Sequence, residues 1–235
     1  MTNGRTATRM AWTATWCLCL VAPGFSATLD FETVPVGTVY GDTPLTPDTP
    51  GDVVLTQDGI TMSVESFFFD PFQADFFEAE VVALQLDASP GQALSLDNIG
   101  VLFDFSALGF DVERVTLDVR DLGGTSNIAV NGSALHILDP LSDLPADVAP
   151  GVTALMADDR LTLVGETTAL LSLRIGGQEI IIDNVRAVPE PAVGVLMACG
   201  MIWLFGRRHP KKNHRGPPTG SRTVLAQSWP AVRSG

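Results

Sequence analysis

Between Thr28 and Pro189 apolar and polar residues alternate in short runs, and Gly, Pro, Asn or Asp separates one run from the next. A period of two sends successive side chains to opposite faces of a strand, so this pattern builds sheet rather than helix. No stretch of it carries a convincing amphipathic helix, although Leu141 to Ala149 leaves room for one short turn. Gln57-Asp58-Gly59, Leu122-Gly123-Gly124, Asn131-Gly132 and Gly176-Gly177 supply residues that tolerate positive φ, as tight hairpins demand. The pattern predicts a hairpin in which runs 171–175 and 178–182 meet across Gly176-Gly177, and separate strands over 113–120 and 126–130. About ten strands in one domain of this size imply an all-β fold, an antiparallel two-sheet sandwich of jelly-roll type.

Charge divides the chain sharply. The segment from Thr28 to Pro189 holds 26 acids against five arginines and no lysine, an excess of 21 negative charges. The two ends hold the other nine basic residues and, apart from Glu190, no acid. An acidic body of this kind excludes nucleic acid as a direct partner, because phosphate binding needs a clustered basic surface. Its content of Val, Ile, Leu and Phe excludes full disorder.

The N-terminus has the order of an export signal. Arg5 and Arg9 precede the mostly apolar stretch Met10 to Ala22, and Pro23-Gly24-Phe25-Ser26-Ala27 supplies small residues after it. Residues 1–27 are therefore expected to be a signal helix, removed between Gly24 and Thr28. At the other end Val188-Pro189-Glu190-Pro191 leads into the apolar run Ala192 to Phe205, followed by Arg207-Arg208. Two prolines block helix propagation, Pro191 suits a first helical position, and the arginines favour the cytoplasmic side. The apolar run is 14 residues long. At 1.5 Å per residue that is about 21 Å, so spanning a core of roughly 30 Å requires the helix to run from Pro191 to about Arg208.

The order Pro-Glu-Pro, apolar segment, basic pair closely resembles the PEP-CTERM sorting signal of Gram-negative bacteria that make exopolysaccharide. The resemblance covers about 20 residues. It implies export by the secretion machinery, transient anchoring in the inner membrane by a short transmembrane helix, and processing near Pro189-Glu190-Pro191 by an exosortase. The product would reside at the cell surface or in the extracellular matrix, with extracellular polysaccharide as a partner. The expected organisation is signal peptide 1–27, β-sandwich 28–187, sorting signal 188–208 and a disordered basic tail 209–235.

Within the body the chemistry is sparse. Cys17, Cys19 and Cys199 all lie in the terminal segments, which leaves the body without a disulfide or a thiolate site. The body's one histidine, His136, sits in an apolar strand pattern and reads as a hydrogen-bonded edge or core residue. No catalytic residue is assigned. Counting alone leaves open a carboxylate-based glycoside-active enzyme, since 26 acids offer many pairs.

Two constellations invite a binding role. Leu29-Asp30-Phe31-Glu32 near the start and Ile182-Asp183-Asn184-Val185 near the end resemble the terminal strands of galactose-binding-like and carbohydrate-binding jelly rolls. That resemblance implies a structural calcium held by Glu32 and Asp183, with Asp158-Asp159 as a weaker second candidate. Calcium takes six to eight hard oxygen ligands, which carboxylates supply. Within Ser66 to Phe77, six phenylalanines fall in the eleven residues from Phe67. Phe67 and Phe69 are expected to face the core while Phe72, Phe76 and Phe77 seal one end. All four tryptophans lie outside the body and Tyr40 is its one tyrosine, which argues against sugar stacking on aromatic platforms. The expected function is a non-catalytic structural or adhesive surface protein, with a calcium-stabilised lectin-like domain as the alternative.

Overall fold

The computed structural model describes residues 26–44, 47–84 and 91–189. The expected signal helix, the residues Glu190, Pro191, Arg207 and Arg208, the short transmembrane helix and the basic tail lie outside them. Among the described residues no helix is long and apolar enough to cross a membrane.

The described chain is all-β and antiparallel. In order it forms β1 (Ala27–Leu29), β2 (Val39–Gly41), β3 (Val53–Gln57), β4 (Ile60–Asp70), β5 (Gln73–Asp75), β6 (Glu78–Leu84) and β7 (Gly91–Asp97). It continues with β8 (Ile99–Asp104), β9 (Val112–Val130), β10 (His136–Leu138), a 3-10 turn at Leu141–Asp143, β11 (Asp147–Ala149), β12 (Val152–Ala157), β13 (Arg160–Gly165) and β14 (Ser172–Pro189). The main path of hydrogen-bonded neighbours is β11-β12-β13-β9-β14-β7-β6-β2, with β8 branching from β14 and β4 paired beyond β8.

Two long strands organise everything else. β14 pairs with β9 from Leu173 opposite Val130 to Pro189 opposite Val112. Its other edge passes from β8 along Ser172 to Gly177, to β7 along Ile180 to Ile182, and to β1 along Val185 to Ala187. The free edge of β9 is likewise divided between β13 and β10. Alternate residues Val115, Leu117 and Val119 of β9 and Ile180, Ile182 and Val185 of β14 are buried in one core with Phe31, Ile60, Met62, Val81, Leu94 and Phe103. Each such side chain contributes about 1.5–3 kcal/mol on full burial.

The predicted hairpin at Gly176-Gly177 does not exist. Neither glycine has positive φ, and the strand runs straight through them with a register shift between Gly177 and Glu179. The reason is backbone proximity: a Cβ on Gly176 would stand 2.8 Å from Cα of Gly100, its partner on β8. Glycine here permits two strands to approach where β14 changes neighbours. The predicted break at Leu122-Gly123-Gly124 is also absent, since both glycines adopt positive φ inside a continuous β9. The expected turns at Asp58-Gly59 and Asn131-Gly132 are present, with φ of 50° and 84°, and of 52° and 69°. Asp158-Asp159 is a third such turn, at 49° and 57°, joining the paired residues Ala157 and Arg160. β14 also extends past the expected domain end at Ala187 to Pro189.

The phenylalanine run divides differently from expectation. Phe67 is fully buried, Phe69 is half-buried and meets its ring edge-to-face at 4.9 Å, and Phe76 packs on the core. Phe72 seals nothing: it is 97% exposed, and Phe77 is 45% exposed. Phe72 occupies the turn between β4 and β5, where the Asp70 carboxylate accepts hydrogen bonds from the backbone of Phe72 and Gln73 and so fixes the tip outward.

Candidate functional site

The side chains of Arg114, Thr116, Asp118 and Arg120 alternate with the core residues of β9 and occupy its opposite face. Asp118 lies opposite Arg160 of β13 on one side and Asp183 of β14 on the other. Like charges directly opposite one another destabilise an antiparallel pair. The structure answers this with a bulge. Between Asp183, opposite Asp118, and Arg186, opposite Thr116, β14 carries one residue more than β9, and Asn184 adopts φ of 51°.

That conformation turns the Asn184 amide between the two acids. Its Nδ2 donates to Asp118 Oδ2 at 2.9 Å and to Asp183 Oδ2 at 3.0 Å, and its backbone N–H donates to Asp183 Oδ1 at 2.7 Å. Arg160 donates from Nε and Nη2 to Asp118 Oδ1 at 2.8 and 2.6 Å. Both acids are buried, at 7% and 9% exposure, while the Arg160 side chain is 54% exposed. Asp118 is thus a carboxylate with a charged partner, whereas Asp183 has amide donors alone. Burial pushes the Asp183 carboxyl up to about 7; the Asn184 N–H works against this, and the charges of Asp118, Glu32 and Asp30 add to it.

Glu32 follows β1 in a loop opened by Phe31, which is buried at φ of 60°. Its Oε1 accepts the backbone N–H of Gln92 at 2.9 Å. The charge of Glu32, like that of Asp30, acts on Asp183, the residue with which Glu32 is expected to share calcium. Hard oxygens surround this loop. Gln57 Nε2 donates to Asp30 Oδ1 at 2.8 Å and Gln92 Nε2 to the Glu32 carbonyl at 3.2 Å, while the Oε1 atoms of both glutamines are buried without a partner. The donor chemistry suits calcium. Among the described residues, no three His, Cys, Asp or Glu side chains are gathered into a metal-holding group. Asp158-Asp159 serves the hairpin turn, and Asp159 pairs with Arg120 at 3.5 Å.

The other expected positions fall as follows. Val188 lies opposite Arg114 and Pro189 opposite Val112, both within β14. His136 is half-buried at a strand start, its Nε2 at 3.0 Å from the Val148 carbonyl oxygen. Sequence reasoning missed Asp118, Asn184, Arg160 and Arg186. No local signal marks them, because their meeting depends on one bulge and on the register of distant strands, with Arg160 and Asn184 lying 42 and 66 residues from Asp118.

No family model matches this chain, and no curated protein does. A solved structure of the CBM22-1 and GH10 modules of Clostridium thermocellum xylanase 10B, complexed with xylohexaose, shares 13% identity at a TM-score of 0.28. The match covers 57% of this chain and 27% of that one, and at that score it carries no argument.

Proposed function

We propose that this chain is an exported structural or adhesive component of the cell surface or extracellular matrix, released by exosortase processing at Pro189-Glu190-Pro191 and without catalysis of its own. The acidic body is then a two-sheet, jelly-roll-like sandwich. The observation that carries the proposal is the sorting order: Pro-Glu-Pro, apolar run and basic pair directly behind an acidic body. The described part of β14, through Pro189, pairs with β1, β7, β8 and β9, all of which lie upstream of the sorting order. Replacing Pro189-Glu190-Pro191 by alanines is expected to leave a larger, membrane-retained species in the producing cell. An unchanged mature mass and location would sink the proposal.

The second reading, a calcium-stabilised binding domain, is favoured by the unpartnered Gln57 and Gln92 oxygens, on side chains that bond Asp30 and the Glu32 carbonyl. At pH 7.5, millimolar calcium is expected to raise Tm by several degrees, and Glu32→Gln to reduce that gain. A melting curve indifferent to calcium removes this reading.

A further inference from the structure

Four of the body's five arginines, Arg114, Arg120, Arg160 and Arg186, lie together on the one sheet face formed by β14, β9 and β13, in a domain otherwise dominated by acids. Arg120 and Arg160 are neutralised by Asp159 and Asp118. Arg186 and Arg114 are exposed and have no acidic partner among the described residues. In a body with 26 acids, two guanidiniums on one face with no acidic partner among the described residues are not a consequence of composition.

Register places hydroxyls around Arg186. Thr28 of β1 stands directly opposite it on one side and Thr116 of β9 on the other. Strands about 4.8 Å apart therefore flank one guanidinium with two hydroxyls. Val188 is opposite Arg114, so the second guanidinium lies on the diagonal from Arg186, roughly 7–8 Å away at the backbone and within reach of a long side chain. Thr28, Thr116, Asp118, Arg160, Asn184 and Arg186 line a cleft of about 350 Å³. Its polar groups are of two kinds. Arg186 and the threonines suit a planar anion, whereas Asp118 and the Asn184 amide, whose carbonyl end is not engaged by Asp118 or Asp183, suit hydroxyl groups.

We infer that this cleft binds a carboxylated sugar unit, a uronate of an acidic polysaccharide, with the carboxylate on Arg186, the next charge along the polymer on Arg114, and ring hydroxyls on Asp118 and Asn184. Carboxylate is favoured over a bare inorganic anion because the cleft combines one forked cation with hydroxyl-binding groups. The net-negative body around it supplies negative selection: a polymer must align its charges with this face or be repelled. The inference deepens the matrix role proposed above by naming the partner's chemistry, yet it is tested without export.

The test is titration of the full-length chain in detergent with an oligogalacturonate, with a neutral galactose oligomer of equal length and with dextran sulfate. Every comparison is made within the full chain, so that the basic tail contributes equally. The oligogalacturonate is expected to bind and the neutral oligomer not to. Arg186→Gln should weaken binding by about tenfold or more, as expected for loss of a charged hydrogen-bonding partner. Arg114→Gln should weaken it severalfold, Arg186→Lys should fall between wild type and Arg186→Gln, and Arg120→Gln should leave it unchanged. Melting curves of the variants confirm that each is folded. Absence of oligogalacturonate binding, equal affinity in Arg186→Gln, an equal loss in Arg120→Gln, or equal binding of dextran sulfate with no dependence on Arg186 would each overturn the inference. If binding fails while the Pro189-Glu190-Pro191 replacement still blocks processing, this inference falls and the export reading stands.

Discussion

Asn131 and Asn184 share a backbone conformation, with φ of 52° and 51°, and treat their strands in opposite ways. Asn131 ends β9 in a turn with Gly132, and its side chain then clasps the distant stretch that leads into β14: Oδ1 accepts from the N–H of Leu171 and Ser172, and Nδ2 donates to the Ala169 carbonyl. Asn184 lies inside β14 and lets the strand continue, shifted by one residue, with its amide joining Asp118 to Asp183. Gly176-Gly177 completes the contrast, a diglycine with the look of a turn that serves instead as a close crossing. At Asn131 the following Gly132 is also left-handed and the chain turns, whereas at Asn184 extended residues resume and the strand bulges.

The largest expected effect separates crossing from turn. Gly176→Val would push a side chain into the β8 backbone, with the Cβ itself 2.8 Å from Gly100 Cα and 3.0 Å from the Ile99 carbonyl oxygen. The expected loss is about 3 kcal/mol or more in urea unfolding. Gly132→Ala meets open space and loses about 1 kcal/mol through its positive φ alone. Equal losses at the two sites would erase the distinction.

Next in size is the clasp. Asn131→Ala removes three hydrogen bonds and should cost about 2–3 kcal/mol by the same measurement. If the loss is matched by Gly132→Ala, the turn conformation rather than the clasp is what Asn131 supplies.

The acid pair gives a pH signature. Asp183 has a native pKa of about 7 against an ordinary value of 3.8, so the folded state holds a proton that the unfolded chain releases. Stability from this group is fully present below about pH 4, declines as pH rises toward 7, and is flat above. Asp183→Asn abolishes that decline and is expected to gain about 1–2 kcal/mol at pH 8, measured by melting between pH 4 and 8. A variant with an unaltered pH profile would show that Asp183 is not the titrating group.

The smallest effect belongs to the bulge. Asn184→Gly keeps the conformation and removes the bridging amide. It should cost about 1 kcal/mol at pH 8 and less at pH 5, where Asp183 is protonated and repulsion from Asp118 is relieved. The same cost at both pH values would mean that the amide does not shield the two charges.

Much of the fold is legible in the sequence. Alternation across 28–189 requires strands, and Asp58-Gly59 and Asn131-Gly132 lie in turns because Asp, Asn and Gly tolerate left-handed backbone. Gly176-Gly177 misleads because glycine answers two needs, positive φ and close approach, and sequence does not distinguish them. Of the candidate site, Asp183 and Glu32 were legible as acids near the first and last strands. Asp118, Asn184, Arg160 and Arg186 were not, because a one-residue change of register changes which side chains face each other across a strand pair.

By itself, then, the sequence determined an all-β acidic body without cysteine and the turns that punctuate it, because strand periodicity and turn chemistry are local properties. The tertiary structure alone decided that β9 and β14 run unbroken through their glycines, that register sets two buried acids opposite one another with a bulged Asn184 amide bonded to both, and that the few arginines gather on one face. Those outcomes depend on register between distant strands, where backbone contact and burial of the core select one alignment.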